Sequence, residues 1–294
     1  MFILPSGHGA ISSGSLSYWY DARNTPSGYF LSPFDIDSSG NLYMGNGASG
    51  FSKIDRTGAV VWQKYASSGS IGLINLTVGQ DGYLYGAFGN VASGLTQAVT
   101  VKMDTSGNIQ WQRSFGTTFN FLSAPVKVLA DSSGNVYTVI NLQYAAANGF
   151  YIAVIKYNSS GTLQWQYFYS TTYTTPLSAC MSTDGNYLYI CGYTSSFGAG
   201  SYDPFVLGLN VSTSTPSITF QNTMGGTPAF EQAWGVTPDS SGNIYVSSYI
   251  GTLPTIQKVN SSGTIQWSTA LSGAATFQGI KLDASGNIYC YAPV

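Results

Sequence analysis

Side chains able to do acid–base, nucleophilic or metal chemistry are few in this 294-residue chain: eleven Asp, one Glu, one His and three Cys. Hydrolysis by paired carboxylates needs two of them poised on either side of a bond. Eight of the aspartates, Asp37, Asp55, Asp81, Asp104, Asp131, Asp184, Asp239 and Asp283, fall inside recurring turn phrases. That leaves Asp21, Asp35, Asp203 and Glu231, which read as scattered, solvated carboxylates. His8 alone cannot make a His-rich metal site, and a Ser-His-Asp triad would have to be built on it. Cys180 and Cys191 flank one predicted hairpin. They either face each other or are two small buried side chains, and the second reading is adopted because unbonded Cys is often buried. The run Gly45 to Gly50 matches G-x-G-x-x-G, but a dinucleotide site needs a helix next, and Phe51-Ser52-Lys53-Ile54 alternates as a strand. Four N-x-S/T sequons occur at Asn75, Asn158, Asn210 and Asn260, and turn chemistry accounts for the last three. No catalytic residue, metal or cofactor is therefore expected, and the chain reads as a non-enzyme.

What positions these residues is a repeat. The phrase Asp37-Ser38-Ser39-Gly40-Asn41-Leu42-Tyr43 returns at Asp131 to Tyr137, Asp239 to Tyr245 and Asp283 to Tyr289, with looser copies at Asp81 to Tyr85 and Asp184 to Tyr189. The six anchor tyrosines, Tyr43, Tyr85, Tyr137, Tyr189, Tyr245 and Tyr289, are spaced by 42, 52, 52, 56 and 44 residues. A second phrase runs from Lys53 through Gly58 to Trp62, from Lys102 through Gly107 to Trp111, from Lys156 through Gly161 to Trp165, and from Lys258 through Gly263 to Trp267. A degraded copy runs from Leu209 to Phe220. Asp or Asn opens each turn by bonding its own backbone, Gly takes the positive φ, and the flanking residues alternate with period two. Each repeat thus predicts four antiparallel strands, A to D. Short strands at a period of roughly 40–50 residues predict a propeller.

The reading is an all-β, six-bladed β-propeller forming one domain over residues 1–294. Its last repeat stops after strand B, so Phe2-Ile3-Leu4 and Gly14 to Trp19 are expected to return as its strands C and D. That pairing would close the ring and remove an exposed edge. The tryptophans are expected to be buried between neighbouring blades.

The Asp-x-x-Gly-Asn-x-Tyr phrase resembles bacterial and phage propeller repeats of the seven-residue SBBP type. The phrase from Asp55 to Trp62 is similar to the tryptophan-docking repeat of quinoprotein-type propellers. The resemblance implies architecture. A quinoprotein cofactor cage with its Ca²⁺ site would need oxygen ligands beyond the turn aspartates.

Only 7% of residues are charged and the net charge is −2, which excludes a strongly basic nucleic-acid binder. No apolar run is long enough for a membrane-spanning helix, and the first residues do not read as a signal peptide. The A–B and C–D turns fall on one face of the ring and repeat nearly the same text. The B–C and D–A loops fall on the other and vary in length and chemistry, as variable loops on a rigid scaffold do where function lies. From them Phe119, Tyr144, Tyr173, Phe197, Tyr202 and Glu231 are the expected partner-binding residues. Composition and repeat together lead to a first expectation of a structural or host-attachment component of a bacteriophage-like virion. Its partners would be other virion proteins and a host surface glycan, and its location the virion. A carbohydrate-binding, extracellular propeller is the alternative, with a hydrolase or quinoprotein third.

Overall fold

The computed structural model describes residues 34–45, 50–65, 70–92, 95–115, 121–144, 149–169, 173–199, 201–226, 230–272 and 277–291. Among them every regular element is a β-strand. The first sheet is β1 (Phe34–Ile36), β2 (Leu42–Gly45), β3 (Gly50–Ile54) and β4 (Val60–Tyr65). The second is β5 (Ser70–Val78), β6 (Leu84–Ala92), β7 (Leu95–Met103) and β8 (Ile109–Phe115). The third is β9 (Phe121–Ala130), β10 (Val136–Tyr144), β11 (Gly149–Tyr157) and β12 (Leu163–Tyr169). The fourth is β13 (Thr174–Met181), β14 (Tyr187–Thr194), β15 (Asp203–Asn210) and β16 (Ser217–Thr223). The fifth is β17 (Gln232–Pro238), β18 (Ile244–Ile250), β19 (Leu253–Val259) and β20 (Ile265–Ala270). The sixth has two described strands, β21 (Gly279–Leu282) and β22 (Ile288–Tyr291). All pairings within sheets are antiparallel between chain neighbours, so each sheet is an up-and-down blade, and the fold is a β-propeller. Six sheets accord with the six anchor tyrosines. The strands expected from the N-terminus lie outside the described residues.

Burial follows the blade logic. Middle strands are covered on both faces by neighbouring blades, so Asp203 to Leu209 of β15 are buried without interruption. Outer strands face solvent, and all of β20 is exposed. The first strands of successive sheets touch one another, β1 to β5, β5 to β9, β9 to β13, β13 to β17 and β17 to β21. They form the inner wall. Side chains lock this wall across blades: Asp35 Oδ2 accepts from Val78 N at 2.8 Å, and Asn75 Oδ1 accepts from Val128 N at 3.0 Å.

The turn phrase works as its residue types demand. Asp37 Oδ1 accepts from Ser39 N and Asn41 N, both at 2.9 Å, while Oδ2 accepts from Asn41 Nδ2 at 2.8 Å and from the Tyr43 hydroxyl at 3.0 Å. Asp131 and Asp283 repeat the full set. The looser copies differ from expectation. There the turn opens two residues earlier, on Gly79 and Ser182, whose carbonyls accept from Gly82 N and Gly185 N. Asp81 and Asp184 sit inside the turn instead of at its start. The glycine register was legible; the aspartate's place within it was not.

The second phrase joins blades. Lys and Trp pair directly across strands C and D, as Lys53 with Trp62 and Lys102 with Trp111, and the register shifts just after each such Lys. Trp62 Nε1 donates to Thr105 O of the next blade and Trp111 Nε1 to Ser159 O, each at 3.0 Å. Lys53 and Lys102 aim at the same two carbonyls, each at 3.4 Å. The turn glycine provides the seat: Gly161 has φ +76, and a Cβ there would come within 2.7 Å of the Trp111 ring. In the degraded fourth copy no glycine follows Val211. Lys156 still reaches Val211 O at 3.4 Å, but the Trp165 Nε1 has no hydrogen-bond partner among the described residues. Phe220 takes the Trp role there and rests on Gly263. Uniform burial of the tryptophans does not hold. Trp111 is buried and Trp62 and Trp165 are partly covered, whereas Trp267 is 37% exposed, because the described part of the sixth sheet offers no outer turn to receive it.

The cysteines are free. Cys180 lies opposite Tyr189 and Cys191 opposite Ser178, so the two are not cross-strand partners. Burial pushes the Cys180 thiol up to about 12 against the lowering influence of Lys281 and Lys127.

Candidate functional site

The loop ends of the third, fourth and fifth blades bring five aromatic rings into one continuous array. Phe150 is the second residue of β11, Tyr173 precedes β13, Tyr193 lies near the end of β14, Tyr202 precedes β15 and Phe230 precedes β17. Phe150 meets Tyr173 edge-on at 4.8 Å between centroids, and Tyr173 meets Tyr202 at 5.5 Å. Tyr202 meets Tyr193 at 5.5 Å and Phe230 at 4.9 Å, and Tyr193 meets Phe230 at 5.3 Å. Tilted and edge-to-face contacts at these distances suit the ring quadrupoles.

Backbone bonds fix the array. Phe150 and Tyr173 form one isolated parallel bridge, and Tyr202 and Phe230 form another, so each links a blade to the strand entering the next. Tyr173 O accepts from Ser195 N at 3.1 Å and from Thr194 Oγ1 at 2.9 Å, while Tyr173 N donates to Ser196 Oγ at 2.7 Å. Thr174 and Thr194 hydroxyls share a buried bond of 2.8 Å beneath it. The hydrogen bond with the Tyr202 side chain, aided by burial, raises the Tyr173 hydroxyl to about 12, so the Tyr173 ring stays neutral across physiological pH.

Of the residues singled out from sequence, Tyr173 and Tyr202 lie in this array. Tyr144 ends β10 at the same loop side, paired with Gly149. Phe119 lies outside the described residues. Phe197 turns inward instead: its ring lies 6.4 Å from that of Phe205 and packs on the core shared by the third and fourth blades. Glu231 is corrected as well. It is wholly buried, and its carboxylate accepts from Gly251 N at 2.6 Å and Gly226 N at 3.1 Å, which ties two loops together under Phe230. Asp203 is also buried, so neither is the solvated carboxylate expected. Asp35 spends its oxygens on Ile36 N, Thr77 Oγ1 and Val78 N.

Phe150, Tyr193 and Phe230 lie in or at the ends of the variable loops but are not among the residues singled out from sequence. A signal for two of the contacts was present in the dipeptides Tyr202-Asp203 and Phe230-Glu231. Adjacent residues of an extended chain point to opposite sides, so an aromatic followed by an acid reads as ring outward and carboxylate inward. The acids are buried here, Tyr202 is partly exposed and Phe230 is 48% exposed. The array is an aromatic surface in which a hydrogen bond also links the Tyr173 and Tyr202 side chains. It offers stacking and packing area and no charge.

A comparison with protein families finds no match, and a comparison with curated proteins finds no relative. Solved structures do share the fold. A chain of a mitotic checkpoint complex superposes with a TM-score of 0.60 at 11% identity over 89% of this chain and 72% of that one. Sqt1 from Chaetomium thermophilum gives 0.54 at 10% identity over 82% and 59%. A streptogramin B lyase gives 0.46 at 13% identity over 88% and 89%. The class these define is the β-propeller. The expectation of a virion or host-attachment component is corrected here: the structures that share this fold, a checkpoint-complex chain and Sqt1, are not named for virions, and at 10–11% identity they show the propeller fold alone. The low charge that motivated that expectation has a plainer source in the blades themselves, whose middle strands are buried on both faces.

Proposed function

We propose that this chain is a protein-interaction module that holds a partner protein's exposed apolar segment on the loop face of its third to fifth blades. The observation that carries this is the five-ring array from Phe150 to Phe230, held by backbone bridges between blades and left partly open to solvent. Protein interfaces draw their binding energy from a few aromatic anchors set in rigid surroundings, and this surface supplies such anchors without charge. The repeat's likeness to bacterial and phage propeller sequences supports a scaffold that presents loops. The whole chain serves as one scaffold in this reading, and its action is binding.

Selection of a displayed random-peptide library on the intact protein tests this. Enriched peptides should share aromatic or aliphatic anchors. Their affinity, measured by surface plasmon resonance, should fall roughly 30-fold in Tyr202→Ala, the equivalent of about 2 kcal/mol at an interface anchor. It should be unchanged in Ser132→Lys on the opposite face. Peptides that lose affinity only in Ser132→Lys would overturn the proposal.

A further inference from the structure

The hydrogen-bonding capacity of the aromatic array restricts the backbone conformation of a segment lying on it. A β-strand partner adds to a sheet through open main-chain groups. Under the array those groups are engaged. Phe150 pairs with Gln143 on one side and bridges to Tyr173 on the other, and Tyr193 pairs with both Thr175 and Pro204. Tyr173 N donates to Ser196 Oγ at 2.7 Å, and Tyr173 O accepts from Ser195 N at 3.1 Å. Tyr202 O accepts from Glu231 N at 3.0 Å. What the array does offer is phenol O–H. Among the described residues the Tyr193 hydroxyl has no hydrogen-bond partner. In the bonded Tyr173–Tyr202 pair one hydroxyl proton is used within the pair, which leaves the other to donate outward.

Such donors need free acceptors on the partner. An α-helix binds its own carbonyls except in the last turn. A polyproline II segment has no internal hydrogen bonds, so every carbonyl is open, and its conformation is already set before binding. The shape agrees. Phe150, Tyr173, Tyr202 and Phe230 follow one another at 4.8, 5.5 and 4.9 Å between centroids. That line is at most about 15 Å long, which five polyproline II residues cover at about 3.1 Å each. Successive ring planes meet at 66°, 59° and 63°, so edges alternate with faces and the surface is ridged. We propose that the segment held by the array is proline-rich and in polyproline II conformation. Its proline rings pack between the aromatic rings, and its carbonyls accept from Tyr193 and from the Tyr173–Tyr202 pair. This rests on the interaction-module reading and names the chemistry of its partner.

The test is isothermal titration of the full chain with two blocked ten-residue peptides, decaproline and a helix-forming peptide of alanine and leucine. Decaproline should bind saturably, one per chain, and the helical peptide at least about tenfold more weakly. Tyr193→Phe keeps the ring and removes the hydroxyl, so it should weaken decaproline about three- to tenfold, the equivalent of one hydrogen bond. It should leave any binding of the helical peptide unaltered. Tyr202→Ala should weaken decaproline more than Tyr193→Phe does, and Ser132→Lys on the turn face should not weaken it. Because Tyr193→Phe preserves packing, it keeps the test valid if Tyr202→Ala folds poorly. Tighter binding of the helical peptide than of decaproline, lost in Tyr202→Ala, would overturn this inference and leave the interaction module standing. Equal decaproline affinity in wild type and Tyr193→Phe would overturn it too, as would no saturable decaproline binding.

Discussion

The ring of Tyr202 stands edge-on to that of Phe230 at 4.9 Å, and their backbones meet in a parallel bridge that joins the fourth blade to the entry of the fifth. The contact belongs to surface and scaffold at once. Phe230 is 48% exposed, so its truncation removes little buried area. Phe230→Ala should change stability by within about 1 kcal/mol, as surface changes do. Any peptide captured by the array should nevertheless lose roughly 30-fold in affinity. Phe197→Ala should behave the opposite way, lowering the melting temperature while sparing affinity per folded molecule, because its ring packs on the core. Thermal melts and binding isotherms on the two variants separate these roles.

The Trp111 ring sits on Gly161 of the following blade, and its indole N–H bonds Ser159 O at 3.0 Å. Trp111→Ala should cost about 3–5 kcal/mol, the usual range for a buried aromatic. Trp267→Ala, at an exposed position with no such seat among the described residues, should cost clearly less. Gly161→Ala should be destabilising for two reasons together: φ +76 disfavours any side chain, and the added carbon would meet the Trp111 ring. Urea denaturation of the three variants would show Trp111→Ala as the most damaging tryptophan change. Equal losses at Trp111 and Trp267 would refute the seat.

How far the sequence could be read follows from which residues carry their own mechanism. Asp37 to Tyr43 announce a turn because Asp bonds its own backbone and Gly40 accepts φ 80, and the same logic holds at Asp131, Asp239 and Asp283. Gly79 and Ser182 open turns that the sequence does not announce, because an Asp follows each two residues later and carries the stronger turn signal. The aromatic array was legible only in part. Tyr173 and Tyr202 stood out as loop aromatics, but Tyr193 joins them only because a B–C loop folds back on its own strand. Phe230 joins through a bridge between segments distant in sequence. Glu231 was misplaced because a charged residue in a loop reads as exposed, whereas two backbone N–H groups draw it inward.

Acid sensitivity should come from the turns. Burial raises the carboxyls of Asp37, Asp81 and Asp239, but hydrogen bonds, and for Asp81 and Asp239 a neighbouring lysine, outweigh it and leave all three below the ordinary value. The Ser182 hydroxyl is the main cause of the same depression at Asp184. A carboxyl with a lowered folded pKa contributes stability that is fully present above its unfolded value of about 3.9 and is lost as pH falls through the folded value. Stability to urea should therefore be nearly flat from about pH 5 to 7 as far as these groups are concerned, and should drop below about pH 4. Asp81→Asn should flatten part of that drop. An acid limb unchanged in Asp81→Asn would show that the Tyr85 and Lys102 contacts do not set it.

Glu231 tests whether the aromatic surface depends on what lies under it. Its carboxylate accepts from Gly226 N and Gly251 N, and its own N–H donates to Tyr202 O at 3.0 Å. Glu231→Ala would leave two backbone donors unsatisfied in a buried place, each at a cost of about 1–3 kcal/mol. The packing is tight as well, since a Cβ on Gly225 would collide with Glu231 Oε2. Glu231→Gln preserves shape and one acceptor oxygen but must turn an amide N–H₂ toward a donor, so it should be milder than Ala and worse than wild type. The loops carrying Phe230 and Gly251 should loosen together, which amide hydrogen exchange would register as faster exchange at both. Binding by the array should weaken in step with that exchange even though Glu231 itself touches no partner. Slow exchange retained at Gly226 and Gly251 in Glu231→Ala would mean that other contacts hold these loops.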